Sequence, residues 1–207
     1  MFALSRERGK LKELEPLVRM FLKDNSLADT WRPGLAVIYA ELGRADEARL
    51  AFESLAADDF GDLPHDSLWM GTMTYLVDIC VFLGDKARAA ILYRLLVPFD
   101  GRNVTIAYAA VCYGAISRYL GMLSTTLGKW DDGARHFEDA LAMNARMEAW
   151  PWLAHTQFQY AKMLLVRARP IDRERAFALL DAALTSTRRL GMRALEERAS
   201  ALLNRET

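Results

Sequence analysis

Residues 118–140 read Arg-Tyr-Leu-Gly-Met-Leu-Ser-Thr-Thr-Leu-Gly-Lys-Trp-Asp-Asp-Gly-Ala-Arg-His-Phe-Glu-Asp-Ala. An apolar segment containing Leu120 runs into Gly128. Beyond it Gly133, Phe137 and Ala140 follow at offsets of 5, 9 and 12. Spacings of four and then three place a small, a large and another apolar residue on one face of a helix. Gly suits the junction, because the residue just past a helix end often needs positive φ, which costs Gly little. The stretch therefore predicts helix, tight turn, second amphipathic helix.

The same frame recurs on both sides. After Gly43 the three offsets give Ala48, Phe52 and Leu55, and after Gly84 they give Ala89, Tyr93 and Leu96. Gly9 is followed by Leu14, Val18 and Phe21. Upstream, Leu35, Leu76 and Leu120 each stand eight residues before their Gly, with Tyr39, Cys80 and Ser124 four before. The small residue at offset 5 (Ala48, Ala89, Gly133) marks where paired helices cross closely. A further copy is degenerate: Tyr160-Ala161 and Leu164 precede Ala168 in place of the Gly, and Ala176, Leu180 and Ala183 resume the pattern after a wider turn. Gly191 ends that helix. Residues 192–204 read as a terminal helix that hides the last apolar face, as an array of repeats requires.

This pattern resembles the tetratricopeptide repeat, a helix–turn–helix unit of 34 residues. Gly9 to Gly43 is that period, and Leu120-Gly121 matches the family's Leu-Gly pair, where the Gly43 unit has Leu35-Ala36 instead. The other spacings, 41 and 44, place extra residues in 58–66 and 99–103, where Gly, Pro and Asp cluster. The resemblance implies an all-α fold, a right-handed helical solenoid of about ten to eleven antiparallel helices. Its expected divisions are a partial repeat over 1–28, a repeat over 29–57, a loop over 58–66, and a repeat over 67–98. A repeat with a long first helix over 99–149, a degenerate repeat over 150–190 and a capping helix over 191–207 complete it. Only eight residues precede Gly9, so the chain is expected to be the tail of a longer protein.

A narrower resemblance points the same way. Leu55-Ala56-Ala57-Asp58-Asp59-Phe60, Asp62-Leu63-Pro64, Gly101-Arg102-Asn103-Val104 and the stretch from Arg118 to Trp130 are similar to the C-terminal repeat region of large bacterial regulators. Those regulators carry an AAA-type ATPase module. Many add a nucleotide-cyclase domain or a LuxR-type DNA-binding domain. The implied role is a non-catalytic sensor or interaction region of an ATP-dependent signalling or transcriptional regulator, binding a protein or small effector. A free-standing adaptor for a partner peptide and a helical enzyme domain are the competing readings.

Bulk chemistry narrows the classes. Lys and Arg total 27, as do Asp and Glu, so no global field draws the chain to nucleic acid or acidic lipid. Cys80 and Cys112 lie within apolar, helix-like patterns and form neither a disulfide framework nor a metal cage. The weakly polar run 104–117 is too short to span a bilayer, which takes about 20 residues. The first ten residues have no signal-peptide core. A cytoplasmic location without membrane contact is expected.

Catalytic motifs are missing. Gly128-Lys129 lacks the phosphate-loop partners, with Leu123 and Trp130 where Gly and Ser or Thr belong. His65, His136 and His155 are scattered without metal-ligand spacing, and His136 is expected to be half exposed. Asp58-Asp59 and Asp131-Asp132 suit helix starts better than acid–base work. The arginines over 167–175 are interleaved with Asp172 and Glu174, Arg188, Arg189 and Arg193 form a second group, and both read as solvated faces rather than a nucleic-acid stripe. No catalytic residue, metal ligand or cofactor is expected.

In tetratricopeptide arrays the first helix of each pair lines a concave groove. Carried onto this chain, the family's groove positions are Val37 and Glu41, then Thr74, Asp78 and Phe82, then Arg118, Met122 and Thr126, and finally His155, Phe158 and Lys162. The Lys/Asn clamp by which one subset grips acidic chaperone tails is absent: its positions hold Pro33, Val37, Thr74, Asp78, Arg118 and Met122.

Overall fold

The computed structural model describes residues 2–24, 31–107 and 110–206. The boundary expected at 28/29 lies outside the described residues. The chain is mostly helical. Its α-helices are α1 (Phe2–Glu7), α2 (Leu11–Asp24), α3 (Arg32–Glu41), α4 (Ala45–Leu55), α5 (Trp69–Leu83) and α6 (Lys86–Leu96). After a two-stranded sheet come α7 (Ile116–Thr126), α8 (Trp130–Arg146), α9 (Trp150–Arg167), α10 (Asp172–Leu190) and α11 (Arg193–Glu206).

Each aligned glycine closes a helix in the same way. Gly9, Gly43, Gly84 and Gly128 have φ of 71°, 72°, 65° and 74°. At Gly43 its N–H donates to Ala40 O and the next N–H, of Arg44, donates to Tyr39 O. The same two bonds recur at Gly84 (to Val81 O, and Asp85 to Cys80 O) and at Gly128 (to Thr125 O, and Lys129 to Ser124 O). Left-handed backbone at this position satisfies two otherwise orphaned carbonyls and reverses the chain. Ala168, in the degenerate copy, adopts φ 54° without the Gly.

The reversals lay consecutive helices side by side: α3 on α4, α5 on α6, α7 on α8 and α9 on α10. The first members also touch in sequence, α3 on α5, α5 on α7, and α7 on α9. The positions at offset 5 are buried, with Ala48 and Ala89 fully inaccessible. Finally α1 packs on α11, so the first and last helices meet.

One element departs from expectation. The long first helix expected within 99–149 is replaced at its front by a hairpin, β1 (Asn103–Ile106) against β2 (Val111–Ala115), antiparallel with Thr105 opposite Cys112. Cys112 therefore lies on a strand and not on a helix. Val104, Thr105, Ile106 and Val111 are β-branched and favour the strand. Gly114 at φ 77° breaks any helix, and a Cβ there would lie 2.6 Å from Trp152 Cβ. Trp152 Nε1 donates to Cys112 O at 2.8 Å and Asn144 Oδ1 accepts from Ala115 N at 3.1 Å, which fixes the hairpin to α8 and α9. Helix α7 then starts only at Ile116.

His136 is also corrected. It is fully buried, with Nε2 3.0 Å from Tyr93 Oη and Nδ1 3.3 Å from Asp100 Oδ2. It shares the inward side of α8 with Phe137 and Ala140, where α6 covers it with Tyr93.

The two α7–α8 glycines separate packing from propensity. A Cβ at Gly121 would meet the Phe137 ring at 2.9 Å, and that ring is buried and stacked on Tyr160. A Cβ at Gly133 would find only ordinary contacts from 3.4 Å outward. Gly121→Ala is expected to cost about 1–3 kcal/mol through overpacking. Gly133→Ala should be neutral or stabilise by up to about 1 kcal/mol through helix propensity. Urea unfolding midpoints check both, at unchanged slope.

Candidate functional site: a polar cavity among the odd-numbered helices

The helices α1, α3, α5, α7, α9 and α11 all contribute side chains to one cavity of about 560 Å³. Helical period explains the selection. Val37 and Glu41, Asp78 and Phe82, and Arg118 and Met122 are each i, i+4 pairs, which lie on one helix face. All six line the cavity, as do His155, Phe158 and Lys162 of α9. Two groove candidates do not. Thr74 is buried, its hydroxyl donating to Gly71 O, and Thr126 turns its hydroxyl back to Met122 O within α7.

Other lining residues were not legible in the repeat register: Arg6 of α1, Trp152 and Gln159 of α9, and Arg198, Leu202 and Arg205 of α11. Both terminal helices carried only weak signals. Their meeting spans nearly the whole chain, so no local pattern reports it.

Charge organises the interior. Arg6 bonds Glu41 through Nε at 3.0 Å and Asp78 through Nη2 at 2.7 Å. Arg198 Nη1 reaches the other oxygen of Glu41 at 3.1 Å. Burial pushes the Glu41 carboxyl upward, but Arg6 and Arg198 outweigh it and hold its pKa at about 2. His155 Nε2 lies 2.9 Å from Glu7 Oε1. Burial depresses the imidazole more than Glu7 raises it, so its pKa is below the ordinary histidine value.

Five cations line the wall (Arg6, Arg118, Lys162, Arg198, Arg205) against two carboxylates, Glu41 and Asp78. Arg6 takes both carboxylates and Arg198 shares one. Arg118, Lys162 and Arg205 have no carboxylate in ion-pair range among the described residues. Arg118 is only 3% exposed, its guanidinium carbon 4.0 Å from the Tyr119 ring centre and 5.4 Å from that of Trp152. Its Nε is buried with no hydrogen-bond partner. Its Nη1 meets only Met122 Sδ, at 3.8 Å. Lys162 Nζ and the Arg198 guanidinium both lie over Phe158, at 5.8 and 5.7 Å from the ring centre. Burial, then Arg198 and Arg205, lower the Lys162 pKa.

Among the described residues no group of three or more His, Cys, Asp or Glu is placed to hold a metal ion, and no helix is long and apolar enough to cross a membrane. No protein-family model, curated protein or solved structure matches this chain.

The wall chemistry fixes a pH dependence. A group whose folded pKa is depressed stabilises above its unfolded value, and that stability is lost as pH falls toward the folded value. His155 and His136, both depressed, withdraw stability as pH falls below about 6.5. Glu41 withdraws its share between pH 4.5 and about 2. Glu41→Gln should therefore make the acid limb of a stability-versus-pH curve shallower by about 2–3 kcal/mol. It should leave the loss near pH 6 in place. Denaturant unfolding across that range checks it.

Proposed function

We propose that this chain is a non-catalytic, tetratricopeptide-like helical solenoid whose inner face binds a small effector. On this reading it serves as the sensor region of a bacterial ATP-dependent signalling or transcriptional regulator. The observation that carries the binding role is the cavity itself. It has the volume of a small-molecule site, mixes aromatic and charged walls, and takes much of its lining from α3, α5, α7 and α9, the helices that the repeat register assigns to the groove. The repeated glycine caps support the solenoid, with one reversal at the same offset in each copy. The regulator context rests on the similarity of the 55–64, 101–104 and 118–130 stretches to such proteins.

A small effector is preferred to an extended peptide because α1 and α11 meet across one side of the cavity, with Arg6 and Arg198 converging on Glu41. An extended peptide needs an open trough, and here a ring of helices closes in. A binding reading is also preferred to a catalytic one. Among the described residues the lining has no Ser, Thr, Cys or Tyr nucleophile, and His155 is engaged by Glu7.

Ala201 lies on the cavity wall near the end of α11 and is exposed. Ala201→Trp should fill the cavity mouth and leave the core intact. In a ligand-observed NMR screen of a metabolite library, compounds that bind the wild-type chain should lose binding in this variant at unchanged melting temperature. Binding events all indifferent to Ala201→Trp would overturn the cavity as the site.

A further inference from the structure

We infer that the cavity recognises a small organic anion, a molecule with a carboxylate or phosphate group attached to an apolar or aromatic body, and that Arg118 is the group that pairs with the anion. The inference deepens the effector-binding reading and rests on it. Three observations converge.

Arg118 is a buried cation without an anion. Removing a guanidinium from water costs several kcal/mol unless it is paired and hydrogen-bonded. Here its nearest acceptors are two aromatic faces and a thioether, and its Nε donor has no partner. Rings on the faces of a guanidinium leave its in-plane N–H edge free. That edge is what binds carboxylate or phosphate in a fork.

The cationic excess is local and directed. Glu41 and Asp78 are already taken by Arg6, with Arg198 adding a second cation to Glu41. Nothing on the described wall is left to neutralise Arg118 or Lys162. Burial first, and then the like charges of Arg198 and Arg205, lower the proton affinity of Lys162, so an incoming anion relieves repulsion as well as forming bonds.

The body of the ligand has a place. Trp152 stands beside Arg118 and Phe158 beside Lys162, and Phe82 and Met122 extend the apolar wall. An aromatic or aliphatic group attached to the anion fits that surface, which a bare inorganic ion would leave wet.

The experiment uses benzoate, phenyl phosphate and neutral benzamide on the full chain at constant ionic strength, read by saturation-transfer NMR and calorimetric titration. Wild type should bind at least one of the two anions one to one, and at least about tenfold more tightly than benzamide. Which anion binds more tightly distinguishes a carboxylate from a phosphate effector. Arg118→Met should weaken anion binding at least about tenfold, the effect of losing a charge-assisted fork, and should raise the melting temperature of the ligand-free chain, because a buried unpaired charge is replaced by an apolar group. Lys162→Gln should weaken both anions and leave folding unchanged.

The assignment fails if Arg118→Met lowers the melting temperature and leaves anion affinity intact, since Arg118 is then a structural cation held by its rings. It also fails if benzamide binds as well as the anions. In that case loss of benzamide binding in Ala201→Trp would keep the cavity as a site and remove only its preference for anions. No binding by any of the three probes overturns the anion site, and the effector reading is then judged by the library screen alone.

Discussion

Glu41 sits between two arginines from opposite ends of the chain, Arg6 on α1 and Arg198 on α11. The carboxylate belongs to α3, so a single side chain ties α1, α3 and α11 to one point. Such a joint is a poor source of net stability. Desolvating three charges costs about as much as their mutual attraction returns, and only the loss of one partner is clearly expensive, at about 3–5 kcal/mol. What it supplies is geometry. With Glu41 fixed, α1 and α11 cannot separate without breaking one of its two arginine pairs, and the cavity keeps its closed side.

That joint works because the rest of the chain has already been bent into place. The units at Gly9, Gly43, Gly84 and Gly128 reverse at a left-handed residue with two backbone bonds, the one at Ala168 with a single such bond, and the helices that follow pack through small residues such as Ala48, Ala89 and Gly133. Small side chains at the crossings set how closely each pair approaches. The succession of such pairs sets where α11 arrives relative to α1. The ion pairs close a curve drawn by packing. They do not draw it.

The legible and illegible parts of the molecule divide along the same line. Local periodicity placed Gly43, Gly84 and Gly128 at reversals, because helix registry is written within a few residues, while Glu41, Asp78, Arg118 and Lys162 were expected at the groove only through the tetratricopeptide resemblance. The hairpin before α7 was not legible. Its Val-Thr-Ile and Val-Cys-Tyr runs are short and apolar, and such runs suit a buried helix as well as a strand until Gly114 and Trp152 decide the matter. His136 was misjudged for a related reason. Its neighbour Phe137 points into α7 and α9, yet Tyr93 of α6 and Asp100 of the segment beyond α6 approach closely enough to bury His136 as well. Arg6 and Arg198 were invisible as partners, since nothing near either residue reports a contact across almost the full length of the chain.

The electrostatics of the cavity depend on this long-range closure. The chain is neutral overall, with equal numbers of acids and bases, and so carries no net field at a distance. Along the cavity the balance is different, because Arg6 consumes the two acids contributed by α3 and α5 while the Lys and Arg that α7, α9 and α11 contribute to the lining are accompanied there by no Asp or Glu. Low-dielectric walls of Trp152, Phe158 and Met122 focus that imbalance into the enclosed volume. A surface patch of the same composition would be screened by salt within about 10 Å. Set between helices, the same charges are screened less, so a neutral protein presents an excess of one sign of charge along this lining.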